Sequence, residues 1–455
     1  MQARLVSGCV ILALSVPASA ENLVELYQRA RQYDAEFAAA QAANRAAQER
    51  LPQARSRFLP NINLNASTNY NNEDITFRGS SIAPSGTRRY NSRGYNIALV
   101  QPLFNRENNA VLGRAQAEID EADARLEVAA QDLILRVAQA YFDVLLAQDT
   151  VNYVAAQKAA VGEQLAQAKR NFEVGTATIT DTHEAQARYD LITAQEIAAA
   201  NDLEVRRRAL ERLTGARDAT PTPLKANIPL DPPQPSAVEQ WMQRATTQSP
   251  ELKAQRALSE AARFDIERAR SAKLPVVDAV ANHGDNRAGG GTFGGSDTRA
   301  TSVGVQLNYQ IFEGGARDSR VREAIANQER AQQAYADAER RVELAARQAY
   351  LGVTSGAAQV RALEQALTSS QASMDSTRLG FEVGVRTSVD VLNAQQQLTS
   401  ARRELAQARY NYLLSRLRLE AAAGTLDEGD LRDVSSGMDT GAPAAPAVAA
   451  PLKKR

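Results

Sequence analysis

The chain has 455 residues, 53 basic against 53 acidic side chains, two histidines and one cysteine. Balanced charge removes the bulk basic surface that nucleic-acid binding requires, and so few histidines and cysteines leave little material for a metal centre or a nucleophilic site. Past residue 20 no 18 consecutive residues are apolar, so no membrane-crossing helix is expected, and any membrane role calls for a closed β-barrel with no unpaired edge in lipid.

Arg4, the apolar run from Val10 to Val16 and Ala18-Ser19-Ala20 have the form of a secretory leader over 1–20, which predicts a mature chain starting at Glu21. Cys9 falls inside that leader, so the exported chain is expected without a disulfide. The apolar stretch follows Cys9 instead of preceding it, which argues against a lipid anchor there.

A first repeat is expected over 21–215. It opens with a helix over about 22–58 that ends before Pro60. A strand over about 60–72 follows, with Ile62, Leu64, Ala66, Thr68 and Tyr70 alternating with Asn61, Asn63, Asn65, Ser67 and Asn69. Period two, with amides on one face and apolar groups on the other, suits a strand with one lipid side and one wet side. A polar connection over 77–92 leads to a second strand over about 93–104, with Tyr95, Ile97 and Leu99 on its apolar face. A long helical hairpin over 105–214 completes the unit, its arms at about 105–171 and 182–213. Residues 216–235 hold six prolines and read as a linker.

The second repeat, 236–426, restates the first: a helix, strands over about 275–284 and 301–312 around a glycine-rich loop, and a helical hairpin over 314–423. Phe172-Glu173-Val174-Gly175 returns as Phe381-Glu382-Val383-Gly384, and Gln139-Ala140-Tyr141 as Gln348-Ala349-Tyr350, both about 209 residues on. Ala54-Arg55-Ser56 returns as Ala269-Arg270-Ser271 at an offset of about 215. Units of this size are too large for a solenoid and indicate a duplicated half-protein. The tail over 427–455, rich in Ala, Pro and Gly, is expected to be disordered.

The first arm of each hairpin lacks proline over more than 60 residues, roughly 100 Å of helix. Leu133, Val137, Ala140, Val144, Ala147, Val151 and Val154 are spaced by alternating fours and threes, and Val342, Ala346, Ala349, Val353, Gly356, Val360 and Leu363 keep the same register. Such a heptad seam predicts coiled-coil packing with close helix approach.

The turns joining the hairpin arms are the candidate functional segments. One runs Phe172-Glu173-Val174-Gly175-Thr176-Ala177-Thr178-Ile179-Thr180-Asp181; the other runs Phe381-Glu382-Val383-Gly384-Val385-Arg386-Thr387-Ser388-Val389-Asp390. Gly175 and Gly384 suit helix ends, and Thr or Asp side chains suit the caps that start the next helices. Capping leaves Arg386 unexplained, because the first turn has Ala177 in its place.

The duplicated F-x-V-G-x-x-T-x-x-D pattern, followed by Val391-Leu392-Asn393-Ala394, resembles the TolC family of outer-membrane efflux and secretion channels. Ala408-Arg409-Tyr410-Asn411-Tyr412-Leu413 and Gly424-Thr425-Leu426 extend the match, which covers essentially all of 21–430. The resemblance implies an α+β membrane protein of a Gram-negative outer membrane, with most of the chain in the periplasm. It implies a homotrimer in which four strands per chain close a twelve-stranded barrel, continuous with a periplasmic α-helical coiled-coil barrel. Outer-membrane lipid, a periplasmic adaptor and an inner-membrane transporter are the implied partners.

The resemblance also implies a periplasmic gate at the hairpin turns, formed here by Thr180, Asp181, Phe381, Arg386, Asp390 and Asn393, with Gly175 and Gly384 shaping the turns. Arg386 is expected to donate charge-assisted hydrogen bonds to Thr180 and Asp181 across the entrance, and Asp390 from three chains to form a ring of negative charge. Two positions depart from the family pattern: Phe381 replaces a tyrosine and Asn393 an acidic residue. Both changes weaken the lock, so an easily opened entrance is expected.

No catalytic activity, cofactor or metal is expected: His183 and His283 stand a whole structural unit apart, without Ser-His-Asp or metal-ligand spacing. No G-x-x-x-x-G-K-[ST] segment is present, so conduction is expected to be passive. The alternative is a periplasmic coiled-coil adaptor, which shares long helical hairpins but has no use for four amide-faced strands.

Overall fold

The computed structural model describes residues 21–76, 78, 85–176, 178–217, 219–225, 228–291 and 294–438. The expected leader and the tail beyond 438 lie outside the described residues. In chain order the elements are α1 (Leu23–Tyr33), α2 (Ala35–Gln48), α3 (Arg50–Ser56), β1 (Asn61–Ile75), β2 (Gly86–Phe104), α4 (Arg106–Glu173) and α5 (Ile179–Thr214). The second series is α6 (Val238–Gln248), α7 (Pro250–Ser271), β3 (Val276–Ala288), β4 (Ser296–Asn308), α8 (Ala316–Glu382), α9 (Ser388–Ala423) and α10 (Glu428–Ser436).

The chain forms two compact units, and each draws on both repeats. Among the described residues, one holds 21–39, Ala129–Ser249 and 342–438; the other holds Ala40–Val128 and Pro250–Arg341.

In the sheet-bearing unit the four strands are antiparallel in the order β1-β2-β3-β4. Both hairpins pair in regular register, and β2 pairs with β3 from Ser92↔Ala288 onward, so one repeat is hydrogen-bonded to the other. Leu64↔Ile97, Ile97↔His283 and His283↔Thr301 place one apolar face of all four strands in line. Leu64, Val303, Val305 and Leu307 on that face are 63–82 % exposed. The opposite face carries Asn61, Asn63, Asn65, Asn96, Asn282 and Ser302.

β2 starts earlier than the apolar alternation indicates, so residues 86–92, read from sequence as connection, are strand. Polar cross-strand bonds extend the ladder: the Tyr90 hydroxyl donates to Glu73 at 3.0 Å and Arg89 to Asn72 at 3.4 Å. Hydrophobic periodicity does not register such pairs. At the other end β4 stops at Asn308, short of the expected 312, and leaves Ile311 and Phe312 exposed beyond the ladder. Helices α7 and α4 pack closely in this unit, where Gly113 lies against Phe264 and Arg114 pairs with Asp265 at 3.0 Å.

The first helix, read as continuous, is three. Asp34 breaks it with an extended ψ of 120°, and its carboxylate accepts from the Phe37 amide at 2.8 Å to start α2. Burial disfavours that carboxylate, yet two bonds from Arg136, at 3.0 and 3.2 Å, together with the Phe37 amide hold it below its ordinary pKa. The second repeat breaks at the corresponding place, between α6 and α7, where Pro250 follows Ser249. Neither break has a glycine, which is why the residue pattern runs through the first.

The helical unit explains the repeated tyrosine. Tyr141 in α4 is fully buried, and its hydroxyl donates toward the carbonyls of Thr222, at 3.0 Å, and Glu21, at 3.4 Å. Tyr350 in α8 donates to the carbonyl of Ser236, the counterpart of Glu21 at the longer repeat offset of about 215. Within the heptad seam Leu133, Val137, Val144, Val151, Val342, Ala346, Val353 and Val360 are buried. Ile134, Ala138, Tyr141, Phe142 and Leu145 are buried as well, so this stretch of α4 packs on more than one side.

The segment read as a linker carries two isolated bridges. Glu21 bridges to Pro221, and Leu224 to Met438. The tail is corrected in the same place: 428–436 is helix α10, not disordered, because Leu431 and Val434 are buried and Asp427 caps it through the amides of Gly429 and Asp430. Burial, helped by the neighbouring Glu420, Asp427 and Asp433 carboxylates and opposed by the Asp427 amide, raises the Asp430 pKa to about 6. The docked helix therefore holds a proton more tightly than the free one. Its docking strengthens as pH falls through 6 and levels off below the unperturbed value of 3.8. Hydrogen exchange at Leu431 and Val434, corrected for intrinsic rates, should be slower at pH 5 than at pH 8.

Candidate functional site

Both hairpin turns close by the same local chemistry. In the first, the Thr176 amide donates to the Asn171 carbonyl at 2.8 Å and the Gly175 amide to Phe172 at 3.0 Å. In the second, Val385 donates to Gly380 at 2.9 Å and Gly384 to Phe381 at 3.1 Å. These are Schellman ends, which require a left-handed residue, and Gly175 and Gly384 supply it with φ of 80° and 78°.

Each return helix then starts with a capping box. The Thr178 hydroxyl accepts the Asp181 amide, while the Asp181 carboxylate accepts the Thr178 amide at 3.0 Å and its hydroxyl at 2.9 Å. Thr387 and Asp390 repeat this at 2.9 and 2.9 Å. Asp181 and Asp390, singled out as gate residues, are thus first of all capping residues. The Thr387 amide and hydroxyl, with the charge of Arg386, hold Asp390 below its ordinary pKa.

The remaining candidates separate. Thr180 is exposed, and among the described residues its side chain makes no hydrogen bond. Arg386 is exposed and folds over Gly380; it forms no ion pair or hydrogen bond with Thr180 or Asp181 of its own chain among the described residues. Phe381 is half-buried against the cluster of Met374, Val391, Ala394 and Leu398. The two turns nevertheless share one cavity of about 640 Å³, whose walls include Asn171, Thr178 and Asp181 of the first and Phe381, Thr387 and Gln395 of the second. Gln164 lines the same cavity, with its side-chain oxygen buried and unpartnered.

Near the turns, a link between the hairpins of one chain comes from a residue the motif did not include. Arg188, two turns into α5, donates to Gln396 at 2.9 Å and to Asn393 at 3.0 Å, both on α9. Beside it Leu392 of α9 packs with Val161 of α4 and Ile192 of α5. Farther along the hairpin, the Tyr410 hydroxyl donates to Asp149 at 2.8 Å while its ring stacks on Phe142; burial raises the Asp149 pKa against that bond. Asn393, read as a lost acidic group, is an acceptor for Arg188. One sequence sign pointed there: the repeat places Gln397 opposite Arg188, another position where the copies differ in charge.

Among the described residues no group of histidine, cysteine and carboxylate side chains could hold a metal ion, and no helix is long and apolar enough to cross a membrane. The arrangement offers hydrogen bonds and packing between the ends of the helices.

Comparison with known proteins agrees with this architecture. The outer membrane efflux protein family model matches residues 26–216 and 241–425, one segment in each repeat. The Vibrio cholerae outer membrane protein TolC is 36 % identical over 428 residues, covering 93 % of this chain and 95 % of that one. The Pseudomonas aeruginosa alkaline protease secretion protein AprF is 33 % identical over 436 residues, covering 95 % and 91 %. In fold, the Campylobacter jejuni CmeC outer membrane channel is similar at a TM-score of 0.76 and 16 % identity, covering 92 % of this chain and 90 % of that one. Helical hairpins, a four-stranded sheet and a match spanning both repeats lead to one conclusion: this chain belongs to the outer membrane efflux protein family.

Proposed function

We propose that three copies of this chain form an exit duct through the outer membrane, conducting substrates passively from an inner-membrane transporter reached through a periplasmic adaptor. The observation that carries this reading is the open sheet. Its strands are 13 to 19 residues long, its outer strands β1 and β4 have no further neighbour among the described residues, and its apolar face is uncovered. Four strands cannot close around a pore, and long unpaired edges are untenable in lipid. Three chains supply twelve strands and remove both problems. Leu191, Ile197, Leu344 and Leu351, exposed on the long helices at 51–67 %, are the surfaces such neighbours cover.

The amide-bearing strand face then lines the lumen, and the hairpin turns form the periplasmic entrance. Arg188 ties the two hairpins within each chain, while Arg386 reaches Thr180 and Asp181 of the adjacent chain, and Asp390 contributes a ring of charge. The chain carries no nucleotide-binding loop, so energy comes from the transporter. The names of the relatives, one an outer membrane protein and one a secretion protein for alkaline protease, support service to a secretion or efflux system.

The test is direct. Purified protein should fractionate with outer membranes, have the mass of three chains in detergent, and conduct ions across a planar bilayer. A soluble periplasmic species without conductance would instead support the adaptor alternative.

A further inference from the structure

On the lipid-facing side of the sheet, the apolar band gives way to charge toward the hairpin loops. The row Tyr95↔Asp285↔Arg299 is followed by the row Arg93↔Arg287↔Asp297, all on the face that carries Leu64, Val303 and Leu307. Asp285 is 12 % exposed in its side chain and holds Arg287 at 3.0 Å and Arg299 at 3.2 Å, while the two arginines stay 49 % and 70 % exposed. Arg93 stands directly opposite Arg287, a like-charge cross-strand pair that destabilises a sheet unless an anion lies between them.

Three guanidinium groups thus face two carboxylates, and one of those is occupied in aiming the arginines. The depth of the patch identifies its ligand. Eight residue steps separate Arg299 from Leu307 on β4, about 27 Å along a strand and about 21 Å across a membrane at a tilt of about 40°. That approximates the height of an outer-membrane apolar band, and Tyr95 marks its edge as interfacial aromatics do.

We infer that Arg93, Arg287 and Arg299 form a binding site on the outer rim of the barrel for the phosphorylated headgroup of an outer-leaflet lipid, with Asp285 as the positioning residue that orients two of the guanidiniums. Planar forks matched to phosphate oxygens suit arginine over lysine. The inference rests on the outer-membrane barrel proposed above.

The full chain, reconstituted in phosphatidylethanolamine vesicles with doubly phosphorylated lipid A and then extracted, is examined by native mass spectrometry for retained lipid. The parent should retain phosphorylated lipid A and release the same lipid stripped of its phosphates. R93Q/R287Q should retain at least about tenfold less of the phosphorylated form, the loss expected for about two charge-assisted bonds, and R93K/R287K, which keeps the charge without the fork, should recover only part of the binding. D285N should fall between parent and R93Q/R287Q. Equal retention by parent and R93Q/R287Q, or no preference for phosphate in the parent, overturns the headgroup site while the barrel stands. Failure of the parent to insert into vesicles overturns the barrel, and the site with it.

Discussion

Arg188→Ala is expected to open the periplasmic entrance more than any other single change in the hairpins. The substitution removes two hydrogen bonds from a charged donor, to Gln396 and Asn393, in each chain. At this partly exposed depth each bond is worth about 0.5–1 kcal/mol. In the proposed three-chain duct, with this tie assigned to the closed entrance, the loss sums to roughly 3–6 kcal/mol, and each ~1.4 kcal/mol is a factor of ten in population. Single-channel recording should show a rise in open occupancy of well over tenfold, reduced by the Leu392–Val161–Ile192 contact, which survives the change. Unchanged occupancy would place the gate elsewhere. Arg386→Ala tests the link between chains in the same recording, and conductance equal to the parent's would remove Arg386 from the gate.

Gly424→Ala is expected to be the most damaging small substitution in the chain. Gly424 ends α9 with φ of 78°, and a Cβ there would lie 2.7 Å from the Ser249 Cα and 2.8 Å from the Gln248 carbonyl carbon. Those are backbone atoms at the break between α6 and α7, and they cannot rotate away. A left-handed non-glycine costs about 1–2 kcal/mol, and overpacking adds about 1–3 kcal/mol. A loss of roughly 2–5 kcal/mol should appear as a lower denaturant midpoint. Gly175→Ala is the control. Its φ is 80°, but nothing lies within 4 Å of the added carbon, so only the backbone strain of about 1–2 kcal/mol applies. Equal losses at the two positions would refute the close-contact account.

The duplication accounts for this difference between glycines. Gly215, which ends α5, stands against the ring of Tyr33 beside the α1–α2 break, as Gly424 stands against the α6–α7 break. In both repeats the returning helix terminates on the kink of the opening helix. That contact joins elements about 180 residues apart in sequence, and no local pattern records it.

Local chemistry, by contrast, was legible. The alternation of Ile62, Leu64 and Ala66 with Asn61, Asn63 and Asn65 specified a strand with two unlike faces, because a period of two has one structural meaning. The heptads of α4 and α8 specified long packed helices for the equivalent reason. The turns were also legible as turns: Gly175 and Gly384 adopt the left-handed geometry their position implies, and threonine and aspartate cap the next helix. The capping threonines are Thr178 and Thr387, the threonines of the repeated F-x-V-G-x-x-T-x-x-D pattern, whereas Thr180, two residues on, caps nothing.

What the residues could not disclose were partners brought together from distant segments or supplied by polar pairing. Asp34 breaks a helix without glycine or proline because Arg136, 102 residues away, stabilises its carboxylate. Helix α10 forms in an unpromising tail because the helical unit buries Leu431 and Val434. Arg188 reaches Asn393 across 205 residues. The repeat could be read directly from the echo about 209 residues along the chain, and the strand faces, long helices and turn chemistry were readable because each depends on neighbours within a few residues. Which helix ends abut, that Arg188 bonds Asn393 across the hairpins and where the capping boxes fall relative to one another emerged from the folded chain alone. Those depend on distance in space, and a repeat copied along the chain records its own pattern but not the contacts made between its copies.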